Sequence, residues 1–196
     1  SGAPAGGVVA AAVRAPRRPG MRRVTGRRIL VPPGRIEGGV ARPDRQSLHY
    51  LSEVLRLEPG AAVEVFDGEG HAWEATLAGD TLALGARRDV PPPAAAIWLA
   101  FALAKGEKAD LVVQKATELG VGRIVPWQAE RSVVRLEGPR GGERAQRWRR
   151  VAAEAARQCG RSEVPPVSAP SGLREALRAP PGFARLAFHA GAGAPL

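Results

Sequence analysis

The chain has 196 residues, 44% of them hydrophobic, and a formal net charge of +10. This length fits one large domain or two small ones, with enough hydrophobic residues for a packed core. The single cysteine, Cys159, excludes an internal disulfide, and no apolar run reaches the roughly 18 residues of a transmembrane helix, so we expect a cytoplasmic protein without a membrane partner.

The positive charge comes almost entirely from arginine, since only three of the 29 basic residues are lysines. Residues 1–30 contain seven Arg and no acidic residue, and residues 131–161 contain nine Arg and three Glu. A GC-rich genome accounts for the ratio of Arg to Lys but not for the excess of positive charge. That excess is typical of proteins that bind a polyanion, with RNA or DNA as the first candidates.

The first half of the chain predicts an extension over residues 1–20 and a small β-barrel with one helix over residues 21–90. Residues 27–31 predict a strand, and residues 44–57 predict a helix with Asp44 as its N-cap. The helix presents three leucines on one face, namely Leu48, Leu51 and Leu55. Alternating segments on both sides of "DGEG" predict a hairpin, and "TLALGAR" predicts a further strand.

After the proline run Pro91–Pro93, the pattern alternates between strand and helix. The apolar run over residues 96–104 predicts a strand buried on both faces. The segment "DLVVQKATELG" predicts a helix that ends at Gly120, followed by a strand in "RIVPW". The buried face of this helix is predicted to contain Val112, Ala116 and Leu119. Strand–helix alternation indicates a parallel sheet with helices on its faces.

The longest predicted helix spans residues 143–161. Its apolar stripe consists of Ala145, Trp148, Ala152, Ala155 and Cys159. A short helix with Ser171 as its cap follows, and "FARLAFHAG" predicts another strand near the end of the chain.

The usual catalytic and metal-binding patterns are missing from the sequence. The three histidines do not form a metal-ligand spacing with Cys159, so we expect no metal. The segment "GAGAP" lacks the lysine and the full glycine pattern of a phosphate-binding loop. An unrelated parallel α/β enzyme with a nucleotide cofactor would need a complete phosphate-binding loop, so this alternative function is disfavoured.

The charged face of helix 143–161 permits two interpretations. One is a solvated surface with ion pairs between Glu143 and Arg147 and between Arg150 and Glu154. The other is contact with RNA phosphates, for which the planar guanidinium group of arginine is well suited. On the preceding helix, a local ion pair between Lys115 and Glu118 is expected.

Several motifs occur in an order that resembles one known family. They are "HYLSEVLRLEPGAAVEVFDGEG" (49–70), "FALAKGEKADLVVQKATELGV" (101–121), "RIVPWQAERSV" (123–133) and "WRRVAAEAARQCGRSEVPPV" (148–167). Together they are similar to the bacterial ribosomal RNA small subunit methyltransferase E family, over roughly residues 22–190.

The resemblance implies an N-terminal PUA-like RNA-binding barrel and, over residues 94–196, a SPOUT domain of the trefoil-knot type. It implies methyl transfer from S-adenosylmethionine to N3 of a uridine in small-subunit ribosomal RNA, and a homodimer with the site near the subunit interface. The expected partner is that RNA or the assembled small subunit.

The sequence departs from the family near its end. Family motifs like "GPEGG" and "LG-RILR-ETA", which build the knot and the cofactor pocket, are not found before Leu196. We therefore expect an incomplete SPOUT domain and place the residues that bind S-adenosylmethionine beyond Leu196. The alternative function is a non-catalytic RNA-binding module.

We expect catalysis to depend on cations that stabilise a uracil anion after N3 loses its proton. Arg131 is the first candidate because it follows a strand at the edge where α/β sheets bind ligands. The further catalytic candidates are Arg161, Gln158 and Lys105. The predicted RNA-binding residues are Arg22, Arg23, Arg27 and Arg28 in the barrel and Arg135, Arg147, Arg150 and Arg157 in the second half.

Overall fold

The computed structural model describes residues 27–89, 97–103, 108–129, 139–178, 180–184 and 186. Within these residues the strands form two sheets, a six-stranded one in the first half and a three-stranded one in the second. This agrees with the prediction of a β-rich first half and an α/β second half. The extension over residues 1–20 and the predicted boundary at the proline run lie outside the described residues.

The first sheet curls into a half-barrel. Its strands are β1 (Arg28–Leu30), β2 (Ile36–Glu37), β3 (Val40–Ala41), β4 (Ala62–Phe66), β5 (His71–Ala78) and β6 (Thr81–Asp89). Their order across the sheet is β1-β4-β5-β6-β3-β2, and only β1 and β4 pair in parallel among these described strands. The hairpin predicted around "DGEG" is confirmed, since β4 and β5 pair antiparallel with Val65 opposite Trp73.

The half-barrel is filled by alternate side chains of its strands, as expected for a sheet with one buried face. Ile29, Val63, Val65 and Leu82 are each at most 2% exposed. Two of the three predicted leucines, Leu51 and Leu55, belong to this core together with Leu57, whereas Leu48 is half-buried outside it.

Asp44 caps the helix α1 (Arg45–His49), as predicted. Its carboxylate accepts a hydrogen bond of 2.7 Å from the backbone N–H of Ser47. The helix continues as a π-turn over Tyr50–Val54 and is shorter than the sequence indicates. It stops because Arg56 adopts a left-handed conformation, with φ of 49°, which a helix cannot continue through.

The second half is a parallel α/β unit, and this prediction is confirmed. Its elements are β7 (Trp98–Ala102), α2 (Lys108–Glu118), β8 (Arg123–Gln128), α3 (Pro139–Cys159), β9 (Ser171–Gly172) and α4 (Leu173–Ala176). The strands pair in parallel in the order β7-β8-β9. Helices α2 and α3 pack together, and their apolar side chains form one core with Phe101 of β7 and Ile124 of β8.

β7 is less buried than predicted. Phe101 is buried, but Trp98, Leu99 and Ala100 are half-buried and Ala102 is exposed. The reason is that α2 and α3 share a core with one face of this strand, and β7 ends the row of described strands. On the other face, the ring of Trp98 contacts Phe183, at 5.1 Å between centroids, and the guanidinium group of Arg123.

The buried face of α2 differs from the predicted one. Leu119 is 50% exposed and Val112 is half-buried. Ala116 is buried as predicted and Val112 packs against the core, but the buried residues also include Ala109, Val113 and Thr117. The polar Thr117 fits there because its hydroxyl donates to the carbonyl of Val113 at 2.8 Å, which satisfies it within the helix.

Gly120 ends α2 as predicted. Its φ is 94°, a left-handed value that glycine adopts without a Cβ clash. The N–H of Val121 then donates to the carbonyl of Ala116 at 3.0 Å, which closes the helix end. The turn directs the chain into β8.

The apolar stripe of α3 is confirmed, although the helix begins at Pro139, four residues before its predicted start at residue 143. Four members of the stripe are buried, namely Ala145, Trp148, Ala152 and Ala155. Cys159, its fifth member, is half-buried. The long helix therefore packs through small residues around one large indole ring.

The end of the described chain differs from the prediction in one respect. Ser171 does not cap α4, because it lies in β9 and Gly172 occupies the N-cap position without a side-chain hydrogen bond. Parallel pairing of Ser171 with Trp127 sets this conformation. The strand predicted in "FARLAFHAG" lies largely outside the described residues.

Candidate functional site

The carboxyl ends of the three parallel strands meet at one edge of the second sheet. Ala102 of β7 lies beside Trp127 of β8, and Trp127 lies beside Ser171 of β9. The N–H of Leu103 donates to the carbonyl of Trp127 at 2.9 Å, so the alignment continues beyond β7. Open α/β sheets bind ligands outside this carboxyl edge.

Two predicted catalytic cations follow these strand ends in the sequence. Lys105 comes two residues after Leu103, and Arg131 comes two residues after Ala129. Both lie outside the described residues, as does Arg135, so their roles stay predictions. Arg22 and Arg23 of the predicted RNA-binding set also lie outside them.

Arg161 lies at the opposite edge of the sheet from the one expected for a catalytic cation. Its guanidinium group donates to the carbonyls of Thr117 and Val121, at 2.8 and 3.0 Å. Val121 precedes β8, so this is the amino edge of the sheet. Burial lowers the pKa of Arg161. Arg161 thus binds the end of α2, and its catalytic role stays a prediction.

Gln158 and Arg157 lie at the same end of α3, next to the half-barrel. The side-chain amide of Gln158 donates to Glu154 at 2.7 Å. Arg157 forms a salt bridge with Glu154. The predicted partner of Glu154 was Arg150. The guanidinium group of Arg157 also donates to the hydroxyl of Tyr50 at 3.1 Å and lies over its ring.

The contacts of Arg157 shift the pKa values of two side chains. The hydrogen bond to Glu154 raises the pKa of Arg157 and lowers the pKa of Glu154. Arg157 bridges α3 and the half-barrel through Tyr50, and its RNA contact stays a prediction.

Arg28, a predicted RNA contact, is buried. It pairs with Glu64 within the half-barrel and donates to the carbonyls of Ala156 and Arg161, at 3.0 and 2.6 Å. It also donates to the hydroxyl of Ser162 at 3.0 Å. Burial lowers the pKa of Arg28, and the hydrogen bond to Glu64 opposes that effect.

The alternation of β1 explains the burial of Arg28. Ile29 and Val31 point into the half-barrel core, so Arg28 and Leu30 point to the opposite face of the sheet. That face would be exposed in an isolated barrel, but the end of α3 covers it here, with Ala156 packed against Leu30. The sequence of β1 alone contains no sign of this cover.

The ion pairs of α2 are partly those that the sequence predicts. Lys115 pairs with Glu118 at 2.8 Å, as expected. Arg147, however, pairs with Asp110 of α2 and not with Glu143. Arg147 therefore links α2 to α3, and its side chain is still 55% exposed.

Among the predicted RNA-binding residues, Arg27 and Arg150 are exposed. Neither forms a salt bridge with another residue in the described ranges. Their guanidinium groups are available to an external anion, and their RNA contacts stay predictions.

Two arginines that the sequence analysis missed face each other across the β2–β3 hairpin. The N–H of Arg42 donates to the carbonyl of Arg35 at 2.9 Å, which continues the register of Ile36 opposite Ala41. Both arginines are exposed, and neither has a salt-bridge partner among the described side chains. Two exposed like charges at the base of this hairpin form a candidate contact for an anionic ligand.

A signal for this pair was present in the sequence. In "RIEGGVAR", Gly38 and Gly39 form a two-residue turn, with φ of 58° and 76°. Such a turn fixes the hairpin register and places Arg35 opposite Arg42. Arg45, exposed at the start of α1, follows closely in sequence. We call Arg35, Arg42 and Arg45 the hairpin arginines.

The described residues do not enclose a pocket for a small-molecule cofactor. A groove of about 540 Å³ is lined by Lys108, Asp110, Leu111, Gln114, Arg147 and Val151. It is open, since Leu111 is 56% exposed. The one buried side-chain nitrogen without a hydrogen bond in the described ranges is Nε of Arg88, which belongs to the half-barrel and not to the carboxyl edge.

The described residues contain no group of three or more His, Cys, Asp or Glu side chains that could hold a metal ion. No helix among them is long and apolar enough to span a membrane.

Both halves of the chain match known protein families. Residues 91–196 match the family described as RNA methyltransferase domain, and residues 43–81 match the RNA methyltransferase PUA domain. The chain is 34% identical over 152 residues to ribosomal RNA small subunit methyltransferase E of Synechocystis, covering 73% of this chain and 47% of that protein. It is 33% identical over 135 residues to the protein of the same name from Mycobacterium bovis, covering 66% of this chain and 52% of that protein.

The fold is similar to a solved structure of the same family. This is the ribosomal RNA small subunit methyltransferase E of Neisseria gonorrhoeae bound to S-adenosyl methionine, with a TM-score of 0.71 and 31% identity. The similarity covers 80% of this chain and 66% of that one. The chain spans about half the length of the curated relatives that it matches. The domain matches, the order of the two halves and the shared fold show that the chain belongs to the ribosomal RNA small subunit methyltransferase E family.

Proposed function

We propose that this chain acts in the methylation of N3 of a uridine in small-subunit ribosomal RNA. The observation that carries the proposal is the order of its two halves, a PUA-type half-barrel followed by a parallel sheet. The names of the relatives and the net charge of +10 support RNA as the substrate.

We propose S-adenosylmethionine as the methyl donor, because the solved relative from Neisseria gonorrhoeae is bound to it. When bound, it would supply the methyl group. The described residues do not form its pocket by themselves, so none of them is assigned to it. We propose that residues outside the described ranges bind it, since the chain covers 66% of that relative.

The chain's own contribution to the chemistry is electrostatic. N3 of a uridine must lose its proton before it can accept a methyl group, and the negative charge then spreads to the uracil carbonyls. A cation held near those carbonyls stabilises the anion. Arg131 and Lys105 are the proposed cations, since they follow the ends of β8 and β7 at the carboxyl edge.

The proposed RNA surface comprises exposed arginines from both halves. The hairpin arginines and Arg27 lie on the half-barrel, and Arg150 lies on α3. Phosphate contacts of this kind position RNA without reading its sequence. The RNA partner is the small-subunit ribosomal RNA or the assembled small subunit, and we propose that the protein acts as a homodimer.

The proposal is tested by methyl transfer from labelled S-adenosylmethionine into small-subunit ribosomal RNA. The assay uses the complete gene product that contains this sequence, because the chain spans about half of its relatives. We expect Arg131→Ala to lower kcat on the order of 100-fold, as for the loss of one group that stabilises an anion. Undiminished methylation by Arg131→Ala, at unchanged RNA affinity, would remove Arg131 from the site.

A further inference from the structure

The half-barrel and the α/β unit meet at a closely packed joint. On the half-barrel side it contains β1, Glu64 of β4 and the β4–β5 hairpin, and on the other side it contains the end of α3 and residues 161–164. Backbone hydrogen bonds cross it from Val164 to Gly68 at 2.8 Å and from Gly70 to Ser162 at 3.1 Å. We call this region the barrel–helix joint.

The approach at the joint is close enough to require a glycine. A Cβ on Gly68 would lie 3.3 Å from Leu30 and 3.5 Å from Val164, and its φ of 84° is left-handed. The apolar part of the joint buries Phe66, Ala72 and Ala156. The two halves are therefore held in one defined orientation.

Arg28 is the polar centre of the joint. Its guanidinium group lies 4.1 Å from the ring centroid of Phe66 and binds four acceptors, of which Glu64 alone belongs to the half-barrel. The other three belong to the end of α3 and the residues that follow it. A buried ion pair of this kind contributes little net stability compared with an apolar pair, but its directional hydrogen bonds fix a geometry.

A second arginine, Arg161, extends the hydrogen-bond network of Arg28. Arg28 binds the carbonyl of Arg161, and the side chain of Arg161 binds the carbonyls of Thr117 and Val121 at the end of α2. One connected series thus joins β1, the end of α3 and the end of α2. Both helices begin on the carboxyl-edge side of the sheet, and α3, with 21 residues, extends roughly 30 Å from there.

We propose that Arg28 is a positioning residue, which holds the exposed arginines of the half-barrel at a fixed distance from the carboxyl edge so that one RNA strand engages both. The inference rests on the proposed function. A rigid joint makes the second contact intramolecular, which raises the affinity for RNA that spans both surfaces. RNA that is too short to contact both surfaces gains no affinity from the rigid joint.

The test measures the affinity of this chain for a series of RNA oligonucleotides of increasing length. The variant Arg28→Met/Glu64→Gln removes the buried charge pair and leaves an acceptor for Arg88, which also binds Glu64. We expect its affinity to fall about tenfold for long RNA and to stay unchanged for the shortest RNA that binds. Arg28→Lys should show the same loss of affinity, because an ammonium group cannot donate to all four acceptors as the planar guanidinium group does.

A matched control is Arg27→Gln, which removes the exposed neighbour of Arg28. As a direct phosphate contact, Arg27 should affect short and long RNA alike and reduce the salt dependence of binding. Circular dichroism verifies folding of each variant. If the double variant fails to fold, Ser162→Ala removes one acceptor of Arg28 and should give a smaller loss with the same length dependence.

The possible results separate the two proposals. Equal affinity loss at every RNA length, full rescue by Arg28→Lys, or no loss at all would overturn the positioning role. Failure of the wild-type chain to bind any RNA would contradict the proposed function itself.

Discussion

At the scale of single residues, the arginines of this chain divide into two groups. Arg28, Arg157 and Arg161 bind acceptors from other elements of the chain, and each contacts the end of a helix or the half-barrel. Arg27 and Arg150 are exposed. Sequence position does not distinguish the groups, because Arg27 and Arg28 are neighbours. Arg28 is buried because side chains of β1 alternate between the two faces of the sheet and α3 covers the face on which Arg28 lies.

Asp110 is the residue whose removal should most affect the packing of α2 against α3. It accepts the indole N–H of Trp148 at 3.0 Å and pairs with Arg147. We expect Asp110→Ala to lower the free energy of unfolding by about 1–3 kcal/mol, since it leaves the buried indole N–H without a partner. Urea denaturation followed by tryptophan fluorescence measures this.

A matched control for this prediction is Glu58→Ala, which removes an exposed carboxylate without a salt bridge in the described ranges. We expect it to change the free energy of unfolding by less than about 0.5 kcal/mol. Asp110→Asn keeps one oxygen acceptor and should fall between the two. Equal stability of wild type and Asp110→Ala would show that the indole contact contributes nothing.

Asp44 should give the chain a stability contribution that depends on pH. Its hydrogen bond from the Ser47 N–H lowers the pKa of the carboxyl group in the folded state. A lowered folded pKa means that the contribution is complete above the unfolded pKa of about 3.9 and is lost as the pH falls through the folded pKa. Asp44→Ala should therefore cost about 1 kcal/mol near neutral pH and progressively less in acid.

The measurement for Asp44 is the free energy of unfolding of wild type and Asp44→Ala across this acid range. Asp44→Asn serves as the control, because its amide oxygen caps the helix at every pH. A difference between wild type and Asp44→Ala that stays constant down to the lowest pH would contradict the assignment.

At the scale of elements, most of the fold could be predicted from patterns that are local in sequence. The β4–β5 hairpin, the Gly120 helix end and the stripe around Trp148 all depend on neighbouring residues, and all are confirmed. The errors have tertiary causes. The core-facing side of α2 includes Thr117, whose hydroxyl is satisfied within the helix, and Ser171 is drawn into β9 by pairing with Trp127.

The candidate site was less predictable than the fold. The carboxyl edge follows from strand–helix alternation, which is visible in the sequence. The position of Arg161 at the amino edge depends on the packing of α2 against α3, and the sequence does not encode this locally. The position of Arg35 opposite Arg42 could be predicted from the two-residue turn at Gly38 and Gly39.

The β2–β3 hairpin provides the element-scale test of RNA binding. Arg35→Gln/Arg42→Gln removes two facing charges, neither of which forms a salt bridge among the described side chains. We expect weaker RNA binding and a reduction of the salt slope, log K against log [salt], by about one to two. Because the two charges repel each other, the free energy of unfolding should stay equal or rise.

The control for the hairpin variant is Arg56→Gln/Arg178→Gln, which removes two exposed arginines outside the hairpin that form no salt bridge in the described ranges. It changes the net charge by the same amount, so it isolates the effect of location. If both double variants lower the salt slope equally, the hairpin has no special role and net charge alone accounts for RNA binding.

At the scale of the whole molecule, the two halves form one unit through the barrel–helix joint. Its backbone bridges, its buried Phe66 and Ala156 and the fork of Arg28 all lie on one side of the half-barrel. This leaves the hairpin arginines exposed, and the carboxyl edge lies at the far end of α3 from the joint. The arrangement suits an enzyme that holds RNA with one half and modifies it with the other.

The most direct test of this account is to identify the modified nucleoside. Small-subunit ribosomal RNA is incubated with S-adenosylmethionine and the complete gene product, then digested to nucleosides and analysed by mass spectrometry. The account predicts N3-methyluridine as the product, formed in smaller amount with Arg131→Ala. A methyl group on another atom or another base, or no methylated nucleoside at all, would contradict it.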